Sequence, residues 1–337
     1  MDKPIRKTTS SEIIEIINSL KSKKAAGYDL INPMILKNLP PRAIEFLMHL
    51  FNACLIRSYF PEQWKTAEII MIPKPGKDSK MVQSYRPISL LTSLSKVLAI
   101  LFLKRLLPIV EHQNLIPKHQ FGFRKHHGTI KQVHRLVEEI RSAFDKQKYC
   151  TGVFLDIAAA FDKGWHSGLL FKLKKFLPIN YYIFIKSYLN NRQFMVRHGE
   201  TISSLERIQA GVPQGSVLGP ILYLLFTSDL PTPNGVIIGT FADDTAVLST
   251  ASHPQLASSK LQLCLNDLSK WLKKMANKSQ RIKISARNIY VTEARLFVSL
   301  NNVQIPASNT AKYLGLYLDR KLNWKQHIFA KRKALGL

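Results

Sequence analysis

The chain has 337 residues and a formal net charge of +27, from 49 Lys and Arg against 22 Asp and Glu. So large a positive excess favours a polyanionic partner, and nucleic acid is preferred because binding releases counterions from phosphates. The longest apolar runs, such as residues 217–226, are far shorter than the roughly 20 residues that span a bilayer, and the polar start lacks a secretory signal pattern. We therefore expect no membrane partner and an intracellular protein, nuclear or cytoplasmic and not secreted.

The first part of the chain is predicted to be mainly helical. Ser10 or Ser11 is suited to cap a helix, because apolar residues recur behind them at helical spacing. Residues 43–57 and 94–110 are further apolar helices by the same pattern. Between them, Pro and Gly near residues 74–77 indicate a basic loop or hairpin. Helices followed by widely separated strands favour an α+β fold with a mainly antiparallel sheet.

The middle of the chain combines a strand with a Gly/Pro-rich loop. The strand pattern that begins at Thr151 ends in an acid, Asp156, and the small residues beyond it suit an open cleft. Further on, the loop at residues 211–215 carries few bulky side chains, so its backbone can approach a ligand closely. Ser216 can then cap the apolar helix that follows. A simple turn before a buried helix is the structural alternative, and Gln214 favours function because a core turn needs no amide.

Two adjacent acids, Asp243 and Asp244, separate the β-prone runs 236–240 and 245–248, which predicts a tight hairpin. Like charges at a turn repel each other and lose hydration on folding. A hard divalent cation removes that penalty, because Mg²⁺ prefers carboxylate oxygens. Asp156 could complete a two-metal site, in which the ions clamp the attacking and leaving oxygens of an in-line displacement. For an Asp pair alone, an ordinary solvated turn is the alternative.

Eight motifs follow one another along the chain. They are AGYD (26–29), IPKPGK (72–77), SYRPISLL (84–91), QFGFR (120–124), FLDIAAAFD (154–162), GVPQGSVLGP (211–220), FADD (241–244) and KYLGLYLD (312–319). In this order they resemble the reverse transcriptase of non-LTR retrotransposons, closest to the jockey-like elements of insects. The resemblance covers nearly the whole chain and is carried by the ordered set, since any one motif can arise by chance.

The resemblance implies an α+β right-hand polymerase fold with fingers and palm, a mainly antiparallel palm sheet and a thumb that is mostly missing. Residues 1–147 are then the fingers region with a helical N-terminal part. Residues 148–320 are the palm, with the catalytic aspartates and a primer-grip-like hairpin. Residues 321–337 are the start of a truncated thumb.

By resemblance, the chain is the core of an RNA-directed DNA polymerase that transfers nucleotides to a primer 3′-hydroxyl by a two-metal reaction. Asp156, Asp243 and Asp244 are the implied catalytic and metal-binding residues. The implied cofactors are two Mg²⁺ ions, with Mn²⁺ as a substitute. The implied partners are an RNA template, a DNA primer and deoxynucleoside triphosphates, and protein partners are left open.

Other positions that match the family's motifs are expected to bind nucleotide or nucleic acid. The implied nucleotide-binding residues are Arg86, Lys74, Phe161, Gln214 and Gly215. The implied primer or template residues are Gln120, Arg124, Tyr313, Leu314 and Gly315. Arg86 ranks above Lys74 because a guanidinium holds phosphate oxygens through two parallel hydrogen bonds, whereas an ammonium is a point charge. Phe161 is implied to exclude a 2′-hydroxyl by shape, which selects deoxynucleotides.

Departures from the family leave a second interpretation open. The chain has no upstream endonuclease region, few residues follow Trp324, and residues 275–297 fit the family's pattern worst. These features are typical of a truncated or decaying copy. The alternative function is therefore a catalytically inactive nucleic-acid-binding remnant of such an element. A two-metal nuclease is a third possibility, but it explains neither the Gln214 loop nor the fingers.

Overall fold

The computed structural model describes residues 4–157, 164–275, 284–290 and 297–336, and it describes residues 284–290 by their backbone alone. No helix in these ranges is long and apolar enough to cross a membrane. The three cysteines, Cys54, Cys150 and Cys264, are all buried and form no disulfide.

The chain divides into two compact units, each built from two segments of sequence. The first unit contains Met1–Ile116 and Phe161–Phe226, and the second contains Pro117–Ala160 and Thr227–Leu337. The boundary expected at residue 148 separates functional regions and stays a prediction. The compact units follow a different division, since each unit includes a segment from both sides of that boundary.

The regular elements are numbered in chain order. The described helices are α1 (Ser10–Ser19), α2 (Pro33–Lys37), α3 (Pro41–Ile56), α4 (Ser93–His112), α5 (Thr129–Asp145), α6 (His166–Phe176), α7 (Ile179–Leu189), α8 (Gly219–Phe226), α9 (Pro254–Met275) and α10 (Lys325–Leu335). The described strands are β1 (Thr66–Pro73), β2 (Tyr85–Leu90), β3 (Tyr149–Ile157), β4 (Gln193–His198), β5 (Thr201–Ile202), β6 (Glu206–Arg207), β7 (Val236–Phe241), β8 (Asp244–Ala251), β9 (Ile284–Tyr290), β10 (Ser299–Leu300), β11 (Val303–Gln304), β12 (Ala307–Ser308), β13 (Thr310–Tyr313) and β14 (Leu316–Asp319). The helices expected at residues 43–57 and 94–110 correspond to α3 and α4, so both predictions are confirmed.

The first helix starts from a different cap than the sequence pattern predicts. The N-cap of α1 is Thr9, whose backbone is extended and whose Oγ1 accepts a hydrogen bond from the Glu12 N–H at 3.3 Å. The prediction of Ser10 or Ser11 was therefore wrong, because both residues already lie inside the helix. Thr and Ser are both favoured N-cap residues, so a run of adjacent hydroxyl residues does not show which of them is the cap.

The sheet of the first unit has the strand order β2-β1-β4-β5, and β6 also pairs with β4. β1 and β2 are antiparallel, with Ile72 opposite Arg86, whereas β1 and β4 are parallel. Residues 74–77 lie in the connection between β1 and β2, which confirms the expected basic hairpin loop. Before α8, the Ser216 Oγ accepts a hydrogen bond from the Gly219 N–H at 3.0 Å, which confirms the predicted cap.

The main sheet of the second unit has the strand order β12-β9-β3-β8-β7. β3 is antiparallel to both β8 and β9, β7 is antiparallel to β8, and the short β12 is parallel to β9. The expected mainly antiparallel sheet is confirmed. Helix α5 packs against the face that carries Phe154 and Ala246, and α9 packs against the opposite face, which carries Val153. Side chains alternate along a strand, so Asp156 and Asp244 belong to the face of Phe154 and Ala246.

Candidate active site

Asp243 and Asp244 lie at the tight connection between β7 and β8. Phe241 pairs with Asp244, so Ala242 and Asp243 form a two-residue connection, which we name the aspartate turn. The predicted hairpin is confirmed. Ala242 has a φ of 56°, in the left-handed region. Glycine is usual at such a position, and a residue with a Cβ is less stable there by about 1–2 kcal/mol.

Strand β3 carries Asp156 to the same end of the sheet. Leu155 pairs with Thr245 in the antiparallel β3–β8 ladder, so the next residue, Asp156, lies level with Asp244. The side chain of Asp156 is exposed, whereas Asp243 and Asp244 are half-buried. Three carboxylates from two separate segments of the chain therefore meet at one end of the sheet.

Burial and neighbouring negative charges change the pKa values of Asp243 and Asp244. Burial, together with the negative charges of Asp243 and Asp156, raises the pKa of Asp244 to about 6, and burial is the largest of these causes. Burial also raises the pKa of Asp243, a backbone hydrogen bond opposes that rise, and the charge of Asp156 adds to it. In both cases the carboxylate form is disfavoured because it is partly desolvated beside like charges.

The chemistry of this set suits a hard divalent cation. Carboxylate oxygens are the ligands that Mg²⁺ prefers, and a cation relieves the repulsion among the three groups. Within the ranges that the structure describes, no three or more His, Cys, Asp or Glu side chains form a ready-made metal site. The fit therefore rests on donor type and charge.

A neighbouring segment of the second unit supports the aspartate turn. Gln120 is only 4% exposed, and its Oε1 accepts hydrogen bonds from the N–H groups of Ala242 at 2.9 Å and Gly122 at 2.8 Å. Its Nε2 donates to the Ala242 carbonyl at 3.3 Å. Beside it, the Phe121 N–H donates to the Thr240 carbonyl at 2.8 Å. The template contact expected of Gln120 stays a prediction, and the partner of its amide in this structure is the turn itself.

Two residues near Gln120 hold this segment in place. A Cβ added to Gly122 would lie 2.2 Å from the backbone nitrogen of Ala242, so glycine permits a close backbone approach. The Arg124 Nη1 donates to the carbonyls of Pro117 and Gln120, at 3.2 Å each. Gly122 was not predicted from the sequence to be a site residue, although its place near Gln120 in the QFGFR motif was a usable signal.

The hairpin of β13 and β14 joins the same core. Tyr313 pairs with Leu316, and the connecting residues Leu314 and Gly315 have φ values of 47° and 83°, as in a type I′ turn. Tyr313 is only 3% exposed and packs against Phe154, with ring centroids 5.3 Å apart. Burial raises its pKa. Tyr313 is thus a core anchor in this structure, while Gly315 is exposed at the turn.

Hydrogen bonds connect Tyr313 to strand β7. Its hydroxyl donates to the Gly239 carbonyl at 3.3 Å and accepts from the Gln132 Nε2 at 3.4 Å. Gln132 is fully buried on α5 and was not identified from the sequence. A polar residue on the apolar face of an amphipathic helix was the available signal, because a buried amide needs a partner.

The triphosphate candidates lie in the first unit. Arg86 is exposed on β2, where a phosphate can reach its guanidinium. Lys74 is half-buried, and its Nζ donates to the Gln83 carbonyl at 2.9 Å within the β1–β2 connection. The structure therefore holds the ammonium of Lys74 against its own loop.

The Gln214 loop is attached to the strand that carries Arg86. The Ser89 N–H donates to the Gln214 carbonyl at 2.9 Å. Gly215 has a φ of 97°, and a Cβ there would lie 3.3 Å from the Ser89 carbonyl oxygen. Glycine thus permits both the backbone conformation and the approach to β2. The prediction for Phe161 lies outside the described residues.

Comparison with known proteins gives consistent similarities in sequence. A family model described as "Reverse transcriptase (RNA-dependent DNA polymerase)" matches residues 72–318. The "Probable RNA-directed DNA polymerase from transposon BS" of Drosophila melanogaster is 43% identical, over 98% of this chain and 38% of that protein. The "RNA-directed DNA polymerase from mobile element jockey" of the same species is also 43% identical, over 97% of this chain and 37% of that protein. The chain thus spans less than two-fifths of the length of these relatives.

A solved structure is similar in fold. Apo telomerase from Candida tropicalis, truncated from its C-terminal domain, aligns with a TM-score of 0.50 and 15% sequence identity. The alignment covers 78% of this chain and 55% of the telomerase chain. At this identity the likeness concerns the fold alone. Together with the mixed helices and antiparallel sheet, it confirms the α+β polymerase fold expected from the sequence.

Proposed function

This chain belongs to the reverse transcriptase (RNA-dependent DNA polymerase) family, and from that membership we propose that it is the polymerase core of a non-LTR retrotransposon. Its reaction is RNA-directed DNA synthesis, the transfer of a nucleotide to the 3′-hydroxyl of a primer. It uses an RNA template, a DNA primer and deoxynucleoside triphosphates. The observation that carries the proposal is the placement of Asp156, Asp243 and Asp244 at one end of an antiparallel sheet.

In this proposal the three carboxylates hold two Mg²⁺ ions, for which Mn²⁺ is a substitute. When bound, such ions supply positive charge to the primer hydroxyl and to the leaving pyrophosphate. The protein residues hold the metal ions in place and align the primer hydroxyl with the triphosphate. Phosphoryl transfer depends on such alignment more than on covalent catalysis. Residues 148–320 supply this palm region, and residues 1–147 supply the fingers.

The fingers bind the incoming nucleotide. The exposed Arg86 holds the triphosphate through its two-pronged guanidinium, and Lys74 adds a point charge after leaving its loop carbonyl. The Gln214 loop, with Gly215, gives the base or sugar a close approach to backbone. Phe161 is assigned to exclusion of the 2′-hydroxyl.

Primer and template contacts are assigned to the second unit. Leu314 and Gly315 form the turn that holds the primer end, and Tyr313 anchors that turn in the core. Arg124 and Gln120 belong to the template side. Their side chains act through the backbone that they support, as the hydrogen bonds of both residues indicate.

Primer extension tests the proposal. We expect the chain to extend a DNA primer on an RNA template with deoxynucleotides and Mg²⁺ or Mn²⁺. The double variant Asp243→Ala, Asp244→Ala should lose at least about a hundred-fold in rate, because it lacks two of the three carboxylates. The matched control is Asp267→Asn, which removes an exposed carboxylate elsewhere in the second unit and should extend normally.

The outcomes separate the two interpretations of the chain. Extension that disappears in the double variant supports the polymerase. A folded protein that binds RNA–DNA duplex but extends no primer contradicts the activity and leaves a nucleic-acid-binding remnant. Extension that survives in the double variant contradicts the assignment of the carboxylates.

A further inference from the structure

The aspartate turn has a backbone conformation and a charge arrangement that are both unfavourable for an isolated turn. Ala242 is left-handed although it carries a Cβ, and the carboxylates of Asp243 and Asp244 follow in immediate succession. The first feature strains the backbone, and the second brings like charges together. A turn of this kind persists when its surroundings over-determine it.

Gln120 is the residue whose contacts meet that requirement. Its amide bonds both polar groups of the Ala242 backbone, the N–H and the carbonyl, as a neighbouring strand would. The same Oε1 also binds the Gly122 N–H, which fixes the orientation of the amide. Since Gln120 is 4% exposed, these bonds form away from water, where an unsatisfied group is costly.

The absence of a side chain at position 122 strengthens the assignment. The backbone of Gly122 lies so close to Ala242 that any Cβ would collide with the backbone nitrogen of Ala242 at 2.2 Å. The segment therefore contacts the turn both through its backbone at Gly122 and through the Gln120 amide. A parallel bridge between Gln120 and Thr240 aligns it with β7.

We propose that Gln120 is a positioning residue, which holds the Ala242 peptide so that Asp243 and Asp244 are presented toward Asp156 as one cation-binding set. The inference rests on the proposed function. It gives the Gln120 amide a task other than direct template contact, because the amide oxygen and one amide N–H are bound to the Ala242 backbone and the side chain is buried.

Two substitutions test the amide and one provides a matched control. Gln120→Ala removes all three hydrogen bonds. Gln120→Glu keeps an acceptor for the N–H groups, but when ionised it cannot donate to the Ala242 carbonyl and brings a buried negative charge next to that oxygen, so its kcat should also fall below that of the wild-type chain. The control is Gln262→Ala, because the Gln262 amide also binds both polar groups of one backbone residue, Ser299, at 2.7 and 2.9 Å. Gln262 lies on α9, and Ser299 begins β10, away from the aspartate turn in sequence.

Each variant is measured in two ways, with thermal unfolding as a check on folding. Electron paramagnetic resonance measures Mn²⁺ binding without nucleotide, and steady-state primer extension separates kcat from KM. For Gln120→Ala we expect Mn²⁺ binding to weaken about ten-fold and kcat to fall at least ten-fold. The KM for primer–template should change less than two-fold. Gln262→Ala should lose thermal stability alone.

The results distinguish this inference from the proposed function. Gln120→Ala with Mn²⁺ binding and kcat like those of Gln262→Ala overturns the positioning role, whatever its stability. An increase in KM without a change in kcat also overturns it and favours direct template contact. Wild-type chain that binds Mn²⁺ in a Gln120-dependent manner but extends no primer supports the positioning role and contradicts the polymerase. If the wild-type chain neither binds Mn²⁺ nor extends a primer, both the positioning role of Gln120 and the polymerase function are contradicted.

Discussion

Asp244 makes the stability of the second unit depend on pH. Its pKa is raised to about 6 in the folded chain, mainly by burial, against a usual value near 3.8. The folded state therefore binds this proton more tightly than the unfolded state does. The stability that protonated Asp244 contributes is fully present below the pKa that this carboxyl has in the unfolded chain. It is lost as the pH rises through the folded-state value of about 6.

We predict that Asp244→Asn stabilises the protein in the absence of divalent cations. The gain should be about 1–2 kcal/mol at pH 7.5, a value reduced for partial solvent exposure, and it should shrink toward pH 4.5. Urea unfolding at the two pH values measures the difference. The control Asp267→Asn, at an exposed carboxylate, should change stability little at either pH. An equal gain at both pH values would show that charge is not the cause.

The carboxylates are the part of the site that sequence predicts best. Asp243 and Asp244 interrupt two β-prone runs, and Asp156 ends a third, so their positions at strand ends follow from local pattern alone. The support from Gln120 could not be predicted in this way, because it acts across 122 residues of sequence. A left-handed alanine also leaves no local signal, since Ala favours other conformations.

At the scale of elements, a buried ion pair fastens α1 to α4. Arg105 is 6% exposed, and its Nη1 and Nη2 donate to the two carboxylate oxygens of Glu12 at 2.9 and 2.8 Å. Its Nε donates to the Arg6 carbonyl at 2.6 Å, so the segment before α1 is held as well. The hydrogen bond from Arg105 is the largest cause of the lowered pKa of Glu12.

We predict that Glu12→Gln destabilises the first unit by about 2–3 kcal/mol. The substitution leaves a buried guanidinium without its counter-charge, and the cost is somewhat below the 3–5 kcal/mol of fully buried pairs because Glu12 is 17% exposed. Helix α1 contains its own control. Glu15 pairs with Lys104 at 3.4 Å on the surface, so Glu15→Gln should cost less than about 0.5 kcal/mol. Similar costs in urea unfolding would contradict a specific role of the buried pair.

Some helices and strands are specified by nearby sequence, whereas other features depend on residues far apart in the chain. The β7–β8 hairpin and helices α3 and α4 were predictable, because each is specified by periodicity and punctuation within a short stretch. The start of α1 was not, since consecutive Thr and Ser residues compete for one cap. The parallel pairing of β1 with β4 joins Thr66 to Gln193 and has no signal in either strand alone.

At the scale of the whole molecule, segments of the two units alternate along the chain, so neither unit is formed by one continuous stretch of sequence. Composition carries no information on such an arrangement. Composition does give the net charge, which is a property of the whole molecule. Because cations exceed anions by 27, the attraction for a polyanion should not depend on any single residue.

We therefore predict that binding to an RNA–DNA duplex weakens steeply with salt. If six or more phosphates are neutralised, the affinity should fall about a thousand-fold between 50 and 200 mM monovalent salt, because each contact releases counterions. Fluorescence anisotropy with a labelled duplex measures the slope. The Asp243→Ala, Asp244→Ala variant should give the same slope, since it removes negative charges and leaves every Lys and Arg in place. A flat salt response would contradict the electrostatic basis of binding. A salt slope that changes in the variant would instead show that these two carboxylates are among the main determinants of duplex affinity. The same residues would then serve both duplex binding and the proposed catalysis.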